Sequence, residues 1–225
     1  MRLPFEKLWA GRRREDWLLL LLAAASVTLA FVFGHVGWEL LEGEMSGVDH
    51  AVRDWVLAHR SRAAVALFTV MTLLGTKEVL APLSVLIAWR LFRQSHGELI
   101  LIAFCAIVSA ELVALLKRNF QIARPGGGLT AGLGFSFPSG HAAGSMAMAI
   151  VLSYIAIRRG IARRLIPRIG AAFTLLVGVS RIYLDLHWTS DVVGGWVAGA
   201  AFGIAFCALY EIVHRRTVAG GAGSV

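Results

Sequence analysis

The sequence predicts an all-α protein, a six-helix transmembrane bundle with short interfacial helices on its outer face. Three observations predict it. Hydrophobic residues make up 57% of the 225 residues and charged residues only 16%, against about 45–50% and about 25% in a soluble domain; the mean hydropathy is +0.70. Six apolar runs match the roughly 17–25 residues that a helix needs to cross a bilayer. Lys and Arg gather in the gaps that six spans leave on one side, which makes that side cytoplasmic. At this length the chain reads as a single domain, residues 1–225.

Span one, about 17–37, follows Arg12, Arg13 and Arg14. Its apolar run from Trp17 to Phe33 is long for a signal peptide and no small-residue cleavage site clearly follows, so it reads as an uncleaved helix behind a cytoplasmic N-terminus, residues 1–14. The amphipathic run 48–60 and the short apolar run 62–75 read as interfacial helices. Spans two to six are expected at 77–93, 98–117, 140–157, 168–184 and 191–212. Arg90 and Arg93, Arg158, Arg159, Arg163, Arg164 and Arg168, and Arg215 and Arg216 then share the N-terminal face, whereas a seventh span at 62–75 would divide them. The Gly-rich tail 217–225 reads as disordered.

The same placement accounts for the formal net charge of +8 without a nucleic-acid partner. Cys105 and Cys207 both lie in apolar runs, so neither reads as a disulfide partner or a metal ligand.

Three short strings at the outer ends of the spans carry chemistry. Lys117 and Arg124 bracket the end of span three, ahead of Pro125. Two cations there can neutralise a phosphate, or can simply face anionic head groups. Pro138-Ser139-Gly140-His141 opens span four. Amides at a helix start bind anions, Ser139 adds a hydroxyl, and His141 can serve as a general acid; the plain alternative is a Ser139 N-cap beside an interfacial His. Arg181 lies six residues before His187, and Asp191 follows four residues later. A carboxylate that accepts one imidazole N–H fixes the tautomer and leaves the other nitrogen nucleophilic. Direct contact from position i to i+4 can arise on one helical face or through a loop conformation at 188–190, and Asp191 can also be an N-cap. Arg181 can grip phosphate bidentately or snorkel.

Taken together, Lys-x6-Arg-Pro, Pro-Ser-Gly-His and Ser-Arg-x5-His-x3-Asp, in that order, resemble the three-part signature of the type 2 phosphatidic acid phosphatase superfamily. The resemblance covers about residues 48–212, starting at the run VDHAVRDWV. It implies that Lys117, Arg124, Ser139, Gly140 and Arg181 bind the phosphate, that His187 attacks phosphorus to form a phosphohistidine, that Asp191 orients His187, and that His141 protonates the departing oxygen. It implies no metal and no cofactor. Vanadium-dependent haloperoxidases share the spacing, but they are soluble, which six spans argue against. The implied protein is a bacterial plasma-membrane lipid phosphatase, N- and C-termini inside and active site outside. Bacterial relatives act on undecaprenyl pyrophosphate, phosphatidylglycerophosphate, phosphatidic acid or lipid A phosphates, and an outward site suits a carrier lipid of wall synthesis. Expected partners are the lipid phosphate and membrane lipids; the oligomeric state is left open. A lipid phosphotransferase with the same intermediate and a non-catalytic lipid transporter are the rival readings.

Four further expectations concern structure. Glu111, inside span three, reads either as a functional intramembrane carboxylate or as the partner of a buried donor on a neighbouring helix, the second being favoured because no motif includes it. Asp185 should face a substrate head group or pair with Arg181. Trp17, Trp38, Trp89 and Trp188 should form an interfacial belt, alongside interfacial His35, His50, His59, His96 and His214. Gly194, Gly195 and Gly199 should let span six approach another helix closely.

Overall fold

A computed structural model describes residues 4–43, 46–92, 96–126 and 134–221. Among these, the regular elements are eight helices: α1 (Pro4–Glu42), α2 (Ser46–Ala58), α3 (Arg62–Leu74), α4 (Lys77–Phe92), α5 (His96–Phe120), α6 (Gly140–Arg159), α7 (Leu165–Tyr183) and α8 (Thr189–Gly221).

Five helices are long and apolar enough to cross a bilayer alone: α1 from Trp17, α5, α6, α7, and α8 to Arg215. The sixth crossing is available only as a pair. Helices α3 and α4 meet at 63° across the Gly75–Thr76 break and qualify together. At about 1.5 Å per residue their 13 and 16 residues extend only about 20 and 24 Å, short of a core of about 30 Å. The apolar run 62–75 is a helix of its own, as expected, and joins span two through a 63° bend. The tail expected to be disordered from 217 begins as helix, because α8 continues to Gly221; residues 222–225 lie outside the described residues.

Helix α6 is central, packing against α4, α5, α7 and α8, while α1 lies along α8. Its buried face is small, with Ala142, Ala143, Ala147 and Val151 all fully enclosed. Glycines on α8 meet that face. A Cβ on Gly195 would stand 2.7 Å from the Ser139 carbonyl oxygen, and one on Gly199 would stand 2.2 Å from that of Ala143. The expected close approach is therefore between α8 and α6. Outward-facing Leu21, Phe31, Ile100 and Ile107 stay exposed, as lipid-facing residues do without water to exclude them.

The antiparallel order brings the C-terminal ends of α5 and α7 and the N-terminal ends of α6 and α8 to one pole. At the opposite pole a charged cluster ties helices together. Arg159 of α6 grips Glu98 of α5 with two 2.9 Å bonds, and Glu211 of α8 accepts from Tyr154 and Arg158 of α6 at 2.5 Å each. Glu98 is the buried carboxylate of α5. Glu111 is exposed and has no described partner, which corrects the expectation of a buried donor: its side of α5 faces away from the bundle.

Candidate active site

All eight residues expected at the site lie at the first pole, contributed by α5, α6, α7, α8 and the segments between them. His187 sits in the turn between α7 and α8 and is 3% exposed. Helix α8 starts only at Thr189, so the His187–Asp191 contact arises through the loop and not along a helical face. Asp191 Oδ2 lies 3.1 Å from His187 Nδ1 and also accepts the Trp188 N–H at 2.8 Å. The second bond reaches back from the third helical position to the cap residue, as in a capping box. One carboxylate thus caps the helix and holds the imidazole, so both readings of Asp191 hold at once. With Nδ1–H donating to Asp191, Nε2 carries the lone pair.

Sequence reasoning missed Ser136. Its hydroxyl donates to Asp191 Oδ2 and lies 3.3 Å from His187 Nδ1. No string flagged it, because it stands 51 residues from His187 in a segment without a motif.

The cations surround this pair. Arg124 Nη1 lies 3.0 Å from His187 Nε2 and donates to the Leu186 carbonyl at 2.6 Å. Its other nitrogens donate to Gly134 and Phe135 carbonyls. Lys117 Nζ donates to the Phe135 and Ser136 carbonyls at 2.6 and 2.9 Å. Arg181 is 7% exposed, so it is embedded in the bundle and does not snorkel; Nη1 donates to Thr72 Oγ1 of α3 at 2.7 Å. His141, on the first turn of α6, lies within electrostatic reach of Arg181, His187, Arg124 and Lys117. Burial, then the charges of Arg124, Lys117 and Arg181, hold the His187 imidazole well below its ordinary pKa and hence neutral.

Four buried side-chain atoms at this pole have no hydrogen-bond partner among the described residues: Ser139 Oγ, Arg181 Nε, Thr189 Oγ1 and Asp191 Oδ1. Ser139 precedes α6 but its side chain caps nothing, so the plain N-cap alternative is not what the fold uses. The Ser139 hydroxyl, the Arg181 Nε–H and a helix start, beside Lys117 and Arg124, are groups of the kind that bind anions. Beside them opens a cavity of about 390 Å³, running from Lys117, Gly140 and His141 down between α4, α5 and α6 past Ala110, Cys105 and Met148. Its lower walls are apolar.

Comparison with known proteins identifies the family. The PAP2 superfamily pattern matches residues 98–215, just over half of the chain. The chain belongs to the PAP2 superfamily. Phosphatidylglycerophosphatase B of Bacillus subtilis (strain 168) is 28% identical over 163 residues, covering 69% of this chain and 79% of that protein. The crystal structure of a transmembrane PAP2-type phosphatidylglycerolphosphate phosphatase from Bacillus subtilis superposes with a TM-score of 0.73 at 25% identity, over 80% of this chain and 93% of that one. Aquifex aeolicus LpxE superposes with a TM-score of 0.57 at 27% identity, over 69% and 92%. The chain is thus a multi-pass PAP2 protein.

Several expectations change at this pole. Asp185 does not pair with Arg181; Arg53 of α2 holds it through bonds of 2.7 and 2.9 Å, because the α7–α8 turn directs it toward α2. Trp188 is no belt residue: its indole donates to the Ala123 carbonyl at 2.8 Å and its ring lies 4.9 Å from that of His50. Trp17, Trp38 and Trp89 are exposed as a belt requires. Both cysteines are free and buried.

Proposed function

We propose that this PAP2 protein is a membrane lipid phosphatase that cleaves a lipid phosphate ester or anhydride through a phosphohistidine, without a metal, at the outer face of a bacterial plasma membrane. The observation that carries this reading is the buried His187, its Nδ1 3.1 Å from Asp191 Oδ2, beside Lys117, Arg124, Arg181 and the unpartnered Ser139 hydroxyl, which together make a receptor for the phosphate.

The phosphate displaces the Arg124 guanidinium from Nε2, and Lys117, Arg124 and Arg181 take up its charge. Nε2 attacks phosphorus, the bond from phosphorus to the lipid oxygen breaks, and His141 gives its proton to that oxygen. Asp191 stabilises the cationic imidazole that results. His141 then takes a proton from water, whose oxygen attacks phosphorus. The P–N bond breaks, and orthophosphate and neutral His187 are released. The lipid's tail lies meanwhile in the apolar cavity below His141.

The names of the similar proteins favour phosphatidylglycerophosphate as the first substrate to try. Undecaprenyl pyrophosphate stays attractive because the distribution of Lys and Arg directs the site outward. Phosphate release from purified phosphatidylglycerophosphate, phosphatidic acid and undecaprenyl pyrophosphate in detergent, with His187→Ala as control, tests the reading. Release from at least one lipid, abolished in His187→Ala and His141→Ala, blocked competitively by vanadate and untouched by a chelator, is expected. Wild-type turnover in His187→Ala sinks the nucleophile assignment. Absence of free orthophosphate, with the phosphoryl group appearing instead on a second lipid, identifies a phosphotransferase.

A further inference from the structure

We infer that Asp49 and Arg53 of α2 are positioning residues that hold the turn carrying His187 in its reactive geometry, an inference that rests on His187 being the nucleophile. The two side chains stand four residues apart on one face of α2 and reach both sides of the turn. Asp49 is 5% exposed; its Oδ1 accepts the Ser190 N–H at 2.9 Å and its Oδ2 the Ser190 hydroxyl at 2.5 Å. Arg53 forks onto Asp185, and its guanidinium carbon lies 6.0 Å from the Trp188 ring centroid. His187 is therefore bracketed between a strut at 185 and a strut at 190.

Each strut meets a position that carries a local cost. Asp185 has φ +57°, a left-handed conformation that costs a non-glycine residue free energy unless its surroundings impose it. The Ser190 amide belongs to the first turn of α8, where a helix has no internal acceptor for it. The Asp49 carboxylate supplies one, as a cap from another element and a negative charge at the helix start. Ser190 adjoins Asp191, so a shift at Ser190 moves the carboxylate that sets the imidazole. Neither α2 residue touches the receptor, so loosening them should slow the reaction and leave anion binding in place.

The test uses the full chain in detergent with phosphatidylglycerophosphate as substrate and vanadate as inhibitor. Asp49→Ala should lower kcat about tenfold or more, since a displacement near 1 Å can cost about a hundredfold. KM and the vanadate inhibition constant should stay within about threefold, and Asp49→Asn, which keeps the shape and one acceptor, should restore most of the rate. A kcat for Asp49→Ala equal to wild type, or a loss of vanadate affinity in step with kcat, overturns the inference; the second outcome marks general unfolding. Should Asp49→Ala not fold, Arg53→Ala decides, its side chain being 29% exposed: kcat should drop several-fold at constant KM, and an unchanged kcat overturns the inference. Full activity in His187→Ala sinks the nucleophile reading and this one with it. An inactive His187→Ala beside a fully active Asp49→Ala sinks this one alone.

Discussion

His187 has neighbours of opposite effect. Asp191 favours a charged imidazole, while burial and three cations oppose it, and the balance leaves the ring neutral and its pKa lowered. A histidine held below the ordinary value of about 6.5 stays unprotonated at lower pH than a free one. The ring should therefore stay unprotonated as pH falls through about 6.5, which an NMR titration of the His187 imidazole reads directly; protonation centred at or above about 6.5 would contradict the proposed environment. Ser136 shares Asp191 Oδ2 with the imidazole. Ser136→Ala should leave the ring less well fixed and lower kcat about tenfold, or about 1.4 kcal/mol of barrier, while KM for phosphatidylglycerophosphate changes little. Residues in the three strings were legible in the sequence because the spacing within each string survives as spacing in the fold. Ser136, Asp49 and Arg53 were not, since each acts across 50 or more positions of chain and no local pattern records such a contact. Glu111 failed in the other direction: an acidic residue in an apolar run implies a partner, but nothing in the run says which side of the helix it faces.

At the scale of elements, span limits were legible to within a few residues because hydropathy changes sharply where helices leave the apolar zone. The 63° bend between α3 and α4 was not, because a 13-residue apolar run is equally suited to lying on a membrane and to forming half of a bent span. The bend places Thr72 against Arg181, so α3 orients a cation of the proposed receptor. The α6–α8 contact matters more for catalysis, since these helices carry His141 and Asp191. Gly199→Val should force them apart: its Cβ has no room beside Ala143, and overpacking costs about 1–3 kcal/mol. A lowered melting temperature in detergent and reduced phosphate release should appear together; unchanged values of both would show that the helices separate without harm. Filling the cavity by Ala110→Phe should instead raise KM for long-chain lipid phosphates while the melting temperature holds, and an unchanged KM would remove the cavity from the binding of the tail.

The whole molecule has polar groups at two poles and an apolar wall between them. Along α5, the 19 residues from Glu98 to Lys117 correspond to about 28 Å of helix, close to the hydrocarbon thickness of a bilayer. Along α6, the 18 residues from His141 to Arg159 correspond to about 27 Å. These two lengths act as a ruler. In a bilayer matched to this ruler, the salt-bridged collar around Glu98 and Glu211 would rest in one head-group layer and the imidazoles would stand at the depth of the phosphorus in the other leaflet. Turnover in vesicles should thus peak when the lipid chains match this ruler and decline in thinner and thicker bilayers. Reconstitution into phosphatidylcholines of graded chain length measures this, and a flat response would show that the collar sets no depth. An enzyme tuned in this way selects its substrates by altitude as well as by chemistry: phosphates tethered within that plane are in range, and those floating above it are not.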